Sequence, residues 1–111
     1  MSQGDLVFRS DRRVVQLSYD DIIYISCYDH SIYITTADRV FRTRSFTMSG
    51  LYELLSGSGF IRAHRSFIVN ISYIEDVSVK GIRLKGINDI LPLSRGYGRK
   101  MGKKLRESLG K

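Results

Sequence analysis

Three consecutive side chains in the second half of the chain, His64, Arg65 and Ser66, carry groups suited to an anionic partner. They offer an imidazole, a planar fork of N–H donors and a hydroxyl. Apolar residues on both sides can bury in a core and hold the ends of a loop in place; these are Phe60, Ile61, Phe67, Ile68 and Val69. The pattern predicts a rigidly mounted loop that presents a cation, although Arg65 taken alone could equally form a surface ion pair.

A second cationic element follows about 25 residues later, where the apolar run Leu91-Pro92-Leu93 leads into Ser94 and Arg95. Residues 80–111 hold ten Lys/Arg and two Asp/Glu, which gives a net charge of +8. Residues 1–79 hold eight Lys/Arg and nine Asp/Glu, which gives a net charge of −1. Such a segment can be a solvated tail that aids solubility. Alternatively, it supplies phosphate contacts that add affinity without sequence preference, with Arg99, Lys100, Lys103 and Lys104 as the candidates.

Length and composition indicate one domain spanning residues 1–111, with residues 1–5 expected to be flexible. No apolar run approaches the length of a membrane span, and the N-terminus lacks the layout of a secretory signal, so we expect a cytoplasmic protein. The single cysteine, Cys27, cannot form an internal disulfide.

Short runs rich in β-branched and aromatic residues dominate the chain and predict a meander of antiparallel strands. The predicted strands are 14–17, 22–28, 31–36, 40–43, 67–71, 74–79 and 82–84. A helix is expected over residues 47–56, capped by Ser45 or Thr47, with an apolar stripe of Met48, Leu51, Leu54 and Leu55 facing the core. A second, basic helix is expected from about Ser94 towards Leu109. The fold class is therefore mostly β (α+β).

These elements resemble the LytTR family of bacterial transcription-regulator DNA-binding domains over most of the chain. The resemblance rests on residues 21–25 (Asp-Ile-Ile-Tyr-Ile), on residues 62–66 followed by Asn70, and on residues 92–95 (Pro-Leu-Ser-Arg), in that order. The chain departs from the family pattern at Ser26, where a glutamate is common.

The resemblance implies sequence-specific binding of double-stranded DNA by loops that enter the grooves. Arg65 is the candidate for base contact, since guanidinium is the commonest specific donor to the guanine edge. His64 and Ser66 would touch phosphate or brace the loop, while Asn70 would stabilise a turn. Further DNA contacts are expected from His30 and Ser31 in the preceding loop, and from Arg95 and Tyr97 in the C-terminal element.

The family also implies partners outside this chain. Its members commonly follow a receiver or sensor domain and occupy paired DNA sites, so a receiver domain and a homodimer on DNA are possible partners. The competing interpretations are an RNA-binding module and a protein-interaction domain with an incidental basic tail. Residues 95–98 match half of an RNA-recognition signature, but Arg99 and Lys100 stand where an aromatic residue and a valine are needed.

Neither catalysis nor a cofactor is predicted. The acidic residues occur mostly singly or at turns, without the paired carboxylates of general acid and base catalysis. Cys27, Asp29 and His30 supply three potential metal ligands, whereas a structural zinc site needs four.

Overall fold

The computed structural model describes residues 4–94 and residue 96. Ten strands and one α-helix form three sheets of two, five and three strands, which confirms the mostly β fold class. The strands β1 to β10 are Asp5–Ser10, Arg13–Ser18, Ile22–Tyr28, Ser31–Thr36, Val40–Thr43, Phe60–His64, Phe67–Asn70, Ile74–Ser78, Gly81–Leu84 and Ile90–Leu91. Helix α1 is Met48–Leu55. Short 3-10 turns occupy Tyr19–Asp21, Ser56–Ser58 and Ile71–Tyr73.

The central five-stranded sheet has the order β5-β4-β3-β7-β6, and each neighbouring pair is antiparallel. The β1–β2 hairpin and α1 cover one face, and the three-stranded sheet β10-β9-β8 covers the other. Because both faces of the sheet are covered, β3 contributes Ile22 and Ile25 to the first core and Ile23 to the second. Each core excludes water from one side of the sheet and fixes the positions of the turns at its ends.

Strands β3, β4 and β5 have the bounds that the sequence predicts, and Ile32 and Ile34 of β4 are buried as expected. Helix α1 also lies where predicted, with the Thr47 hydroxyl accepting from Gly50 N at 3.0 Å as its N-cap. Leu54 was predicted to face the core but is 52% exposed. The buried face of α1 therefore consists of Met48, Leu51 and Leu55 and is narrower than predicted.

Two features differ from the sequence prediction. Asp5, for which we expected flexibility, begins β1, and Gly4 O accepts a hydrogen bond from Tyr19 N at 3.0 Å. The predicted loop around residues 62–66 is a hairpin in which β6 and β7 meet at a two-residue turn. Its register shifts between Arg62 and His64, so a bulge at this point sets the direction of the turn.

Candidate nucleic-acid interface

The β6–β7 turn holds Arg65 by hydrogen bonds from several directions. Arg62 Nη2 donates to the Arg65 carbonyl oxygen at 2.7 Å, and Ser66 N donates to His64 Nδ1 at 3.1 Å. Cys27 N of β3 donates to the Ser66 carbonyl oxygen at 3.0 Å. The Arg65 side chain is exposed, whereas His64 and Ser66 are half-buried. The backbone of the turn is therefore fixed while its guanidinium faces solvent.

The His64 ring contacts the turn and the strand that follows it, an arrangement that fits the bracing alternative of the sequence prediction. The ring accepts from Ser66 N and also contacts Phe67 edge-on, with ring centroids 5.7 Å apart. A histidine held by a backbone N–H on one side and an aromatic ring on the other has little rotational freedom. It therefore limits the conformations open to the turn beside it.

The β3–β4 turn consists of Asp29 and His30, both in the left-handed region with φ of 50° and 65°. This is the backbone of a type I′ hairpin turn, whose twist matches that of the flanking strands. His30 is exposed, as a DNA-contacting residue should be. Ser31, in contrast, is 1% exposed, and its hydroxyl accepts from Arg42 Nε at 3.1 Å and Arg44 Nε at 3.4 Å. Ser31 thus positions two arginines instead of presenting its own hydroxyl at the surface.

The two turns lie at the same end of the five-stranded sheet and border one cleft of about 670 Å³. The cleft brings His30, Arg65 and Ser66 together, three residues that the sequence predicted to act jointly. Its remaining lining residues are Cys27, Ile32, Phe46, Thr47, Met48, Ser49 and Arg62. The cleft therefore combines an apolar wall with a cationic rim.

Ser94, the serine of the second cationic element, approaches the same end of the sheet. Ser94 N donates to the Ala63 carbonyl oxygen at 3.2 Å, directly before His64. The backbone that leads to Arg95 therefore reaches the hairpin that carries Arg65. The other C-terminal candidates lie outside the described residues, so their roles stay predictions; they are Arg95 itself, Tyr97, Arg99, Lys100, Lys103 and Lys104, together with the predicted second helix.

Arginines are concentrated at one end of the five-stranded sheet. A second cleft, of about 260 Å³, lies beside Ser31 and is lined by Arg9, Asp11, Arg42, Thr43 and Arg44. We call the end of the sheet that carries this cleft and the turns at residues 29–30 and 65–66 the basic end. Asp21 and Asp38 border a cleft at the opposite end, and Asp20 lies beside it. The net charge of −1 over residues 1–79 does not reveal this uneven distribution, because residues from the two ends alternate along the sequence and their charges cancel in the sum.

Among the described residues, no salt bridge involves Arg9, Arg42, Arg44 or Arg65. A salt bridge joins Arg83 and Asp76 of the three-stranded sheet, with Nε and Oδ2 3.5 Å apart. Arg65 is therefore not paired with a described carboxylate, which removes the ion-pair interpretation for those residues. Among residues 4–94 and 96, no three His, Cys, Asp or Glu side chains are grouped as metal ligands.

Comparison with known proteins decides the family. Residues 12–106 match the model of the LytTr DNA-binding domain. The chain belongs to this family. The resemblance seen in the sequence motifs is thereby confirmed, and it points to a DNA-binding regulator rather than an enzyme.

Solved and curated proteins are similar to this LytTr domain. A LytTr DNA-binding domain from Bacillus cereus superposes with a TM-score of 0.78 at 19% identity, covering 98% of this chain and 99% of that one, and so shares its fold. The sensory transduction protein LytT of Bacillus subtilis (strain 168) is 32% identical over 108 residues, which cover 93% of this chain. The transcriptional regulatory protein BtsR of Salmonella typhi is 27% identical over 104 residues, or 88% of this chain.

The LytTr domain spans less than half the length of these curated relatives, 44% of LytT and 40% of BtsR. Among the described residues, no helix has both the length and the apolar character needed to cross a bilayer.

Sequence reasoning missed the arginines of the second cleft. Arg42 lies on an exposed position of β5, while Arg9 lies on the exposed side of β1, a strand that the sequence did not predict. The available signal was the alternation of residues 40–43, which places Val40 and Arg42 on one face of a strand and Phe41 and Thr43 on the other.

Proposed function

We propose that this LytTr domain binds double-stranded DNA in a sequence-specific manner, with its basic end facing the duplex, as the DNA-binding part of a transcription regulator. The observation that carries the proposal is the mounting of Arg65. Its guanidinium is exposed at the tip of a hairpin whose backbone is held by Arg62, His64 and Cys27. A donor fork on a fixed backbone can discriminate between bases, since a bidentate contact depends on orientation.

The neighbouring groups divide into base-reading and positioning contacts. Arg65 would enter the major groove and donate to a guanine edge. His30 borders the same cleft from a separate turn and would contact the adjacent base or phosphate. Ser66 would donate to phosphate through its half-buried hydroxyl. Arg95, Tyr97, Arg99, Lys100, Lys103 and Lys104 would extend the contact along the phosphate backbone.

The relatives suggest the regulatory setting. LytT is named a sensory transduction protein and BtsR a transcriptional regulatory protein, and both are more than twice as long as the region they share with this chain. We infer that the domain acts in the cytoplasm as an output module controlled by a receiver or sensor domain. We also infer that two copies of the domain bind paired DNA sites as a homodimer, because a symmetric dimer presents the same surface to each half-site.

Selection of bound sequences from a randomised duplex pool tests the proposal. We expect enrichment of a motif that contains at least one invariant guanine, and binding of the selected duplex that exceeds binding of its scrambled version. Single-stranded RNA should compete poorly at equal ionic strength. Recovery of an unenriched pool, or stronger competition by RNA than by duplex, would overturn sequence-specific DNA binding.

A salt titration separates the proposal from a protein-interaction role. Each phosphate contact contributes a slope of about −0.9 in log K against log salt concentration for duplex DNA. We expect a steep negative slope on both selected and scrambled duplexes. A flat dependence would show that the basic end and the C-terminal segment do not bind polyanions.

A further inference from the structure

We propose that Arg9, Arg42 and Arg44, which we call the arginine cleft, bind the phosphate backbone of the same duplex beyond the bases that Arg65 contacts. This inference rests on the proposed function, because it assigns a second contact region on the same partner. It adds a site formed by the β1–β2 hairpin and the end of β5, neither of which belongs to the motifs by which the sequence resembles its family.

The cleft is built from two elements joined at Thr43. This residue is 3% exposed, and its hydroxyl donates to the Arg9 carbonyl oxygen at 2.8 Å. The Thr43 hydroxyl oxygen also accepts from Ser45 N at 3.1 Å, which orders the chain as it leaves β5. Thr43 thereby fixes the hairpin strand that carries Arg9 against the segment that carries Arg42 and Arg44.

Two guanidinium groups converge on one buried hydroxyl. Arg42 Nε and Arg44 Nε both donate to Ser31 Oγ, at 3.1 and 3.4 Å. This arrangement places two positive charges side by side, at a Coulomb cost that a bound anion would remove. Because Ser31 engages the Nε atoms, the terminal Nη groups are the donors that remain to face a ligand. Neither group forms a salt bridge with a described carboxylate.

The chemistry of the cleft matches phosphate. Arginine presents a planar fork that binds phosphate oxygens in a bidentate manner, and two such forks around a cleft of about 260 Å³ can hold one or two phosphate groups. Asp11 is the single acidic residue of the lining, set against three arginines. The net charge of the lining is therefore positive.

The position of the cleft favours duplex DNA over a free anion. Ser31, beneath Arg42 and Arg44, directly follows His30, which borders the cleft that holds Arg65. The two clefts are therefore neighbours on the basic end. The phosphates of a DNA strand are regularly spaced along its backbone. A backbone that passes Arg65 and His30 would therefore bring its next phosphates to the arginine cleft.

The test compares charge-removing and charge-keeping variants on the selected duplex and its scrambled version. The double variant Arg42→Gln/Arg44→Gln should reduce the magnitude of the salt slope by about 1 to 2, at about 0.9 for each lost phosphate contact. It should weaken binding of both duplexes by the same factor, because backbone contacts carry no base preference. The double variant Arg42→Lys/Arg44→Lys should keep most of the slope.

Arg39→Gln is the matched control, because Arg39 precedes β5 at the opposite end of the sheet, where its guanidinium lies 5.3 Å from the Phe41 ring centroid. This change removes one positive charge, half of that removed by the double variant, and should leave the slope unchanged. Equal salt slopes for Arg42→Gln/Arg44→Gln and Arg39→Gln would overturn the inference. The proposed function would still stand if the wild-type domain selects a DNA motif. An equal loss with lysine and glutamine would also overturn the inference, since the bond to Ser31 would then explain the effect.

A titration with inorganic phosphate tests whether the arginine cleft is instead a site for a free anion. Calorimetric titration at constant ionic strength should show no saturable binding of phosphate alone to the wild-type domain. Saturable binding that disappears in Arg42→Gln/Arg44→Gln would identify a free-anion site and overturn the assignment to the duplex. If the wild-type domain selects no duplex, the proposed function is overturned. The inference about the arginine cleft then fails as well, because it assumes the same DNA partner.

Discussion

Arg62 Nη2 lies 2.7 Å from the carbonyl oxygen of Arg65, while Nη1 of the same guanidinium lies 3.4 Å from the Ser49 hydroxyl. One side chain thus connects the β6–β7 turn to the first turn of α1. The conformation of the turn that carries Arg65 is therefore coupled to the packing of the helix, and Arg62 is a positioning residue for the interface.

Arg62→Lys should separate positioning from charge. Lysine keeps the positive charge but lacks the planar fork that reaches both partners. We expect the preference for the selected over the scrambled duplex to fall by about 1 kcal/mol, the usual value of one hydrogen bond, while the salt slope stays as in the wild type. Fluorescence anisotropy at several salt concentrations gives both quantities. An unchanged preference would show that the contact does not position Arg65.

Replacement of His64 tests the brace on the other side of the turn. His64→Asn keeps an acceptor for Ser66 N, since asparagine side chains bond the backbone N–H two residues on in Asx turns. His64→Leu removes that acceptor and should lower the free energy of unfolding by about 1 kcal/mol. We expect chemical denaturation to rank wild type and His64→Asn above His64→Leu. Equal stability of the asparagine and leucine variants would contradict a bracing role.

Asn70 joins three parts of the fold and should be costly to replace. It is 3% exposed; its Nδ2 donates to Ile22 O at 2.9 Å and Tyr19 O at 3.4 Å, and its Oδ1 accepts from Ser72 N at 3.0 Å. Asn70→Ala removes the side-chain donor to the buried Ile22 carbonyl together with two further hydrogen bonds, so we expect a loss of about 2 to 3 kcal/mol in thermal or denaturant unfolding.

Asn88→Ala provides the control for that experiment, because Asn88 is exposed. It should change the free energy of unfolding by less than about 0.5 kcal/mol, as is usual for surface sites. Equal effects of the two substitutions would contradict the structural role of Asn70.

The β1–β2 turn offers a stabilising substitution. Asp11 and Arg12 have φ of 49° and 68°, and arginine pays about 1 kcal/mol for this left-handed conformation. Arg12→Gly should relieve that strain and raise the melting temperature in calorimetry. Arg13→Gly, at the first residue of β2, should instead lower it, since glycine weakens a strand. A lower melting temperature for Arg12→Gly would contradict the strain argument.

Much of the fold was predictable because local pattern and tertiary packing agree. In β4, Ile32 and Ile34 alternate with polar or half-buried residues, and the polar pair Asp29-His30 marks the turn before it. Strand β1 was missed because Leu6 and Phe8 are the only large apolar residues on its inner face, while its outer face mixes Val7 with the charged Asp5 and Arg9. Its pairing with β2 and burial against the sheet decide its structure, and a short sequence window contains neither.

The candidate site was predictable in part for a similar reason. The block around Arg65 carries its own anchors, so its turn could be located from the sequence alone. Ser31 was expected to reach DNA because the family resemblance places residues 29–31 in a loop that faces the duplex, but its hydroxyl lies beneath Arg42 and Arg44, more than ten residues away in the chain. Contacts between strands that far apart depend on sheet register, which the residue types did not fix.

Binding of Arg65→Ala to the selected duplex tests the central claim most directly. If the fixed guanidinium reads a base, the variant should lose about 1 to 3 kcal/mol on the selected duplex and much less on the scrambled one, and discrimination should relax at one guanine position. Arg39→Gln should retain the wild-type preference. An equal loss of affinity on both duplexes would contradict base recognition by Arg65 and reduce its role to attraction of the backbone.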